Sequence, residues 1–189
     1  MKPQPETAAP ELTSIAEELR SAAAGYRGLV NSMPDEDLNR RPAMGRWSVA
    51  DCVAHVTKSN REYLTPMRDA LARADVSPKR SFRQTFLGGW MVRQLEPPVK
   101  RKQRSPKLFL PPTAVQHDGA SLLANFEEVQ REIFGLRKTA ASRDLSRVKM
   151  SSPASSLLRM NLWDAFRILA AHEWRHLWQA RNVAKDLKR

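Results

Sequence analysis

The chain has 189 residues, 41% of them hydrophobic, with a formal net charge of +12. This length suits one domain with a sizeable core. No apolar run approaches the roughly 20 residues a membrane helix needs, and MKPQPETAAPE lacks the apolar centre of a secretion signal, so the expected location is cytoplasmic.

The single cysteine, Cys52, excludes an internal disulfide and a Cys-rich zinc site. The positive charge invites a nucleic-acid reading, but its distribution counts against one. Between Asp75 and Gln116 the nine basic side chains Lys79, Arg80, Arg83, Arg93, Lys100, Arg101, Lys102, Arg104 and Lys107 meet only Asp75 and Glu96. Most of the excess therefore sits in one connecting segment. Such a run is ordinarily a solvated face, and no RNP, KH, zinc-finger or helix-turn-helix pattern accompanies it.

Residues 1–9, rich in Pro and Ala, are expected as a flexible tail and residues 10–189 as one domain. Leu12, Ile15, Leu19, Ala22, Ala23, Tyr26 and Val30 recur at helical spacing and predict a helix over Pro10–Asn31, with Pro10 in the first turn, where it is tolerated. NSMPDEDLNRRPAMGRW then reads as loop, punctuated by Pro34, Pro42 and Gly45, with Leu38 docking a short turn. Ser48 followed by Asp51 is a capping box opening a second long helix, whose buried face is Val49, Cys52, Val53, Val56, Tyr63, Met67 and Leu71. Pro66 lies inside that pattern and predicts a kink or break near Tyr63.

From Val76 to Thr113 the chain reads as irregular. SFRQTFLGGWMVRQL suggests a short helix broken at Gly88 and Gly89, and Pro97, Pro98, Pro106, Pro111 and Pro112 favour extended or polyproline backbone. Phe82, Phe86, Trp90 and Phe109 are expected to anchor this segment. Trp90 and Phe109, set among basic residues, either line a site for an anionic ligand or staple the loop down. Asp118 opens a third long helix, with Leu122, Phe126, Val129, Ile133, Leu136 and Ala140 on one stripe. A flexible connection through Ser151–Ser156 leads to a second capping box, Asn161 with Asp164, and a last helix striped by Leu162, Phe166, Leu169, Leu177 and Ala180. Trp163, Trp174 and Trp178 add a second apolar face, which suggests a homodimer. No alternating run compels a sheet. The expected fold is all-α: an antiparallel four-helix bundle with a long Pro-rich, basic crossover between its second and third helices.

His172 and His176 lie at i and i+4, on one helix face, where two imidazoles reach a common ion without backbone distortion. HEWRH also matches the H-E-x-x-H pattern of zinc proteases, but Asn182 stands where a downstream third histidine would be needed, which removes the protease reading. His55 is near the start of the second long helix; if that helix runs antiparallel to the last, the three rings reach similar heights and a facial three-His metal site results. His117 falls in a loop outside this set. Glu173, Asp164 and Glu62 are candidates to orient a ligand or relay a proton, with Glu173 also read as a buried hydrogen-bonding group, and Cys52 is read as a buried thiol.

RRP at 40–42, WSVADCVAHV at 47–56 and HEWRHLWQARNV at 172–183 resemble the DinB/YfiT-like family, with its W-S-x-x-x-x-x-x-H and H-x-x-x-H-x-x-Q segments. The basic crossover ending in LPP is similar in kind. The resemblance implies a four-helix bundle holding a divalent metal (Zn, Ni, Fe or Mn) on His55, His172 and His176, often in a dimer. Some members resemble transferases that use a low-molecular-weight thiol such as bacillithiol, mycothiol or glutathione; others resemble metal-dependent hydrolases or isomerases. The leading expectation is a thiol-dependent S-transferase acting on a small electrophile. The alternatives are a metal-dependent hydrolase or isomerase, or a non-catalytic dimeric binding module; neither membrane nor nucleic acid is an expected partner.

Overall fold

The structure is a computed structural model and describes residues 9–77, 80–99, 107–110 and 115–188. Among these the helices are α1 (Pro10–Asn31), α2 (Asp35–Asn39), α3 (Val49–Ala72), α4 (Phe86–Leu95), α5 (Gly119–Ala140) and α6 (Leu162–Asp186). A 3-10 turn spans Lys107–Phe109, and β1 (Lys149–Ser152) and β2 (Ser155–Asn161) form a hairpin. Of the expected tail only Ala9 is described, and its carbonyl accepts from the Thr13 N–H. Lys79, Lys100, Arg101, Lys102, Arg104, Pro106, Pro111 and Pro112 also lie outside the described residues. No described helix is long and apolar enough to cross a membrane.

Both capping boxes form. Ser48 Oγ accepts from Asp51 N while the Asp51 carboxylate accepts from Ser48 N, starting α3. Asn161 and Asp164 make the same reciprocal pair at the start of α6, satisfying backbone donors that a helix end leaves unpaired.

Long helices α1, α3, α5 and α6 make the bundle, with α1 and α3 each packed on both α5 and α6. Cross-helix pairs give their directions. Arg27 meets Glu127 while Arg137 reaches the Leu12 carbonyl, so α1 and α5 are antiparallel. Arg61 meets Glu128 and Arg68 meets Glu132, so α3 and α5 advance together. Arg167 meets Glu18 and Tyr26 meets Glu173, so α1 and α6 are parallel. The start of α3 shares its core cluster with the end of α6, and the end of α3 with the start of α6, so these two are antiparallel. The expectation of a uniformly antiparallel bundle is corrected on this point. The long crossover carries the chain back to the end where α3 began, which makes α5 parallel to α3.

Three local expectations change. Helix α3 passes through Pro66 without ending. Tyr63, Leu64, Met67, Ala70 and Leu71 on either side of it are buried, and their burial offsets the missing backbone bond. Helix α4 continues through Gly88 and Gly89 because it is capped and clamped: Thr85 Oγ1 accepts from Gly88 N and donates to Asp164 Oδ2. A Cβ at Gly88 would overlap the Asp164 carboxylate, so only glycine permits this approach of α4 to α6.

The third correction is the sheet, which an all-α reading omits. Met150 and Met160 pair across β1 and β2 and are both buried, with an irregularity between Ser151 and Ser152. Serine-rich composition and an outward Leu157, 91% exposed, hide the strand period in β2.

The aromatics of the crossover divide. Phe82 packs edge-on against Trp163 at 5.2 Å between centroids, and Phe109 is buried. Phe86 and Trp90 face outward, contrary to their expected anchoring role. Trp163 is therefore covered from within the chain, and Trp174 packs against the core cluster at the α6 C-terminal end, leaving Trp178 as the exposed tryptophan of α6.

Candidate metal centre

Helix α6 presents His172 and His176 one turn apart, and α3, running the other way, brings His55 to the same level. One nitrogen from each ring lies within 4.8 Å of the other two. His55 Nδ1 donates to the Phe109 carbonyl at 2.6 Å, which places the proton on Nδ1 and leaves the Nε2 lone pair facing the cluster. His55 Nε2 and His172 Nε2 stand 3.1 Å apart. Two nitrogens each about 2.0–2.1 Å from one zinc ion are themselves about 3 Å apart, so the spacing suits a shared ion.

The rings are held neutral, as ligands must be. Burial pushes His55 down to about 4, with Arg175 and Lys58 adding to the shift and the Phe109 hydrogen bond opposing it. His172 and His176 are held well below the ordinary imidazole range by burial, by the neighbouring imidazoles and by Arg175. His176 Nδ1 is buried without a hydrogen-bond partner among the described residues. Three neutral imidazoles crowded together with an orphaned buried nitrogen and no carboxylate among them fit a divalent cation as the missing partner.

Trp47 covers the cluster, with its ring centroid 4.8 Å from that of His55 and 5.7 Å from that of His176. It immediately precedes the α3 cap, and the preceding loop is tied down by Arg41 Nε donating to Asp51 Oδ2 at 2.8 Å. Although burial works the other way, Arg41 and Ser48 hold the Asp51 carboxyl below its usual range. The same residue thus caps α3 and fixes the loop carrying Trp47.

The expected acids lie elsewhere. Glu173 turns into the bundle, where its Oε1 accepts from Asn60 Nδ2 at 2.7 Å and Gln130 Nε2 at 2.6 Å. Asp164 is consumed by Asn161 and Thr85 at the start of α6. Glu62 is half-buried on α3 and makes no hydrogen bond or ion pair among the described residues. The structure brings together the three predicted histidines and none of the three predicted acids. His117 exchanges backbone bonds with the Asn39 side chain, pinning α2 to the start of α5. Cys52 is fully buried and burial pushes its thiol well up, in keeping with an inert core residue.

Burial raises Glu173 from 4.5 to about 8, with Gln130 and Asn60 opposing the shift. At Glu173 the folded state keeps the proton while the unfolded chain loses it above pH 4.5, so this group's contribution to stability is fully present below 4.5 and is lost as pH rises toward 8, by about 1.4 kcal/mol per pH unit. The three buried neutral histidines contribute with the opposite sign below 6.5. Glu173→Gln retains an oxygen for both amide donors and cannot ionise. Chemical denaturation of the apoprotein at pH 5 and pH 8 is expected to show a change in stability more unfavourable in the wild type than in the variant by the Glu173 contribution, since the histidine contribution is common to both; an equal change in the two proteins overturns the assignment.

A family model described as the DinB superfamily matches residues 18–180. The chain belongs to the DinB superfamily. Among solved structures it is similar to YfiT from Bacillus subtilis, described as a probable metal-dependent hydrolase with an unusual four-helix bundle topology. The TM-score is 0.62 at 17% identity, covering 100% of this chain and 94% of that one. At that identity the likeness is one of fold. No curated protein matches.

In this DinB-superfamily chain three groups at the cluster had no predicted role: Trp47, the Phe109 carbonyl and Arg175. Trp47 and Arg175 stand inside the very motifs that signal the histidines, so their positions were visible although their contacts were not. The Phe109 carbonyl leaves no trace in sequence, because any residue supplies one.

Proposed function

We propose that the protein is a divalent-metal-dependent enzyme acting on a small molecule at His55, His172 and His176, and that its reaction is hydrolytic. The observation that carries the reading is the convergence of three neutral imidazole nitrogens within 4.8 Å. A divalent ion held there by these residues supplies Lewis acidity, lowering the pKa of a bound water or thiol and polarising a substrate oxygen. An all-nitrogen donor set favours the later metals of the Zn, Ni, Fe and Mn group.

The chain's own residues prepare the site. The Phe109 carbonyl fixes the tautomer and ring orientation of His55. Trp47 shields two of the three rings from bulk water. Arg175 and Lys58 lend positive charge felt at His55, which favours an anionic nucleophile, and no described carboxylate sits by the rings as a general base.

Hydrolysis is preferred because the similar YfiT is described as a probable metal-dependent hydrolase. Thiol transfer is the second reading. It is supported by the same cationic surroundings, which stabilise a thiolate as they do a hydroxide, and by the burial of Cys52, which requires any thiol nucleophile to come from outside the chain. Metal analysis of untagged protein, followed by parallel assays of small esters and amides and of low-molecular-weight thiols with an electrophile, separates the two. Hydrolysis confined to the metal-loaded protein and abolished in His55→Ala is the expected result; turnover only with added thiol moves the assignment to transfer, and activity in metal-free protein overturns both. The homodimer remains part of the proposal. With Trp163 covered by Phe82, its apolar contact would fall to Phe86 and Trp90 of α4 and to Trp178, and a monomer in sedimentation removes it.

A further inference from the structure

One charged group beside the cluster is not explained by the fold. Arg175 lies on α6 between His172 and His176 and is only 8% exposed. Its Nη1 donates to the Gln94 carbonyl at 3.0 Å, at the C-terminal end of α4. That is its one protein acceptor among the described residues, although a guanidinium carries five N–H donors. An arginine this buried ordinarily has a carboxylate partner, yet Arg175 has no ion pair among the described residues, and burial lowers its pKa. It stands three residues after His172 and next to His176 on α6, and its bond to Gln94 sets it on the side of α6 that α4 packs against.

Resting on the metal-site reading above, we propose that Arg175 is an anion-binding residue: the small molecule held at the three histidines carries an oxyanion, a carboxylate or a phosphate, that pairs with the free N–H groups of this guanidinium. A divalent ion on three neutral ligands is uncompensated, Arg175 adds a further positive charge, and Lys58, whose Nζ donates to the Leu110 carbonyl at 3.1 Å, adds another nearby. The buried acids of α3 and α6 are engaged elsewhere: Glu173 by Asn60 and Gln130, Asp51 by Arg41 and Ser48, and Asp164 by Thr85 and Asn161. A neutral substrate would leave this excess of positive charge unanswered in a partly desolvated site, whereas an oxyanion balances it and matches the planar fork of the guanidinium. The ligand class follows from this charge pattern.

The test uses protein loaded with Co2+, whose visible spectrum reports ligands entering the open positions, titrated separately with acetate, inorganic phosphate and neutral imidazole. In Arg175→Gln the affinity for the anions is expected to fall by about tenfold or more, with Arg175→Lys between the two. Imidazole binding is expected to stay unchanged, and the affinity for Co2+ to hold or rise because a neighbouring positive charge has gone. Loss of phosphate binding alone assigns a phosphate ligand; loss of acetate binding alone assigns a carboxylate. Unchanged anion affinities overturn the proposal. A parallel loss of imidazole binding also overturns it, by showing that Arg175 acts only by tethering α4 through Gln94. Failure of the wild type to take up Co2+ refutes the metal-site reading itself, and this inference with it.

Discussion

His172→Ala is expected to lower the affinity for a divalent metal by about a hundredfold to a thousandfold, and a double His55→Ala/His172→Ala variant to abolish stoichiometric uptake. Structural zinc sites contribute roughly 10–16 kcal/mol over four ligands, or about 2.5–4 kcal/mol for each, which is the loss expected for one imidazole. His55→Ala carries a second consequence, because it also frees the Phe109 carbonyl and unties the segment that lies over the site. His117→Ala serves as the control: that ring is outside the cluster, and uptake should not change. The pH dependence has a defined sign. Since His55 is pushed down to about 4, protons compete with the metal only toward that value, so uptake should persist well below pH 6, where a free imidazole is already protonated. Competition titrations and elemental analysis from pH 4 to 8 check both points. Full occupancy in the double variant would remove the site.

Asp164→Ala is expected to cost about 3–5 kcal/mol of stability, on the order of 10 °C in Tm for a chain of this size. Asp164 is fully buried and accepts from Asn161 N, Thr85 N and Thr85 Oγ1, so a single carboxylate caps α6 and holds the start of α4. Truncation leaves two backbone donors in a dry environment with no partner, each worth about 1–3 kcal/mol, and loses the cap besides. Asp164→Asn keeps the shape and one accepting oxygen and should cost roughly half as much. Gly88→Ala attacks the same contact from the opposite side by forcing a Cβ into the carboxylate. Thermal unfolding followed by circular dichroism measures all three. A change below about 1 kcal/mol in Asp164→Ala would show that the α4 clamp is not part of the folding unit. This second effect is structural, and metal uptake by the folded fraction should survive it.

The two predictions divide α6 into a clamp and a site. Its first turn binds the crossover helix α4 through Asp164, and its middle carries the histidines and Arg175. Arg175 and Asp164 thus tie the two ends of α4 to α6, one at Gln94 and the other at Thr85. Within the crossover, α4 is thereby fastened to α6, and Phe109 meets His55 through its carbonyl.

What the sequence determined by itself was local. Helical periodicity and two capping boxes placed the four long helices, because both signals arise within one turn of backbone. The i, i+4 spacing put His172 and His176 on one face, and the motif order singled out His55. Long-range pairing decided the rest. The parallel course of α3 and α5 depends on where the crossover returns the chain, which no local pattern encodes. Pro66 and the Gly88–Gly89 pair read as helix breakers, and tertiary burial and the Asp164 clamp overrode them. Glu173 stood beside His172 in sequence, yet the turn of the helix sends it into the core to Asn60 and Gln130. The same turn leaves Arg175 between the two histidines on the side that meets Gln94, where burial without an acidic partner among the described residues makes it a candidate for binding substrate.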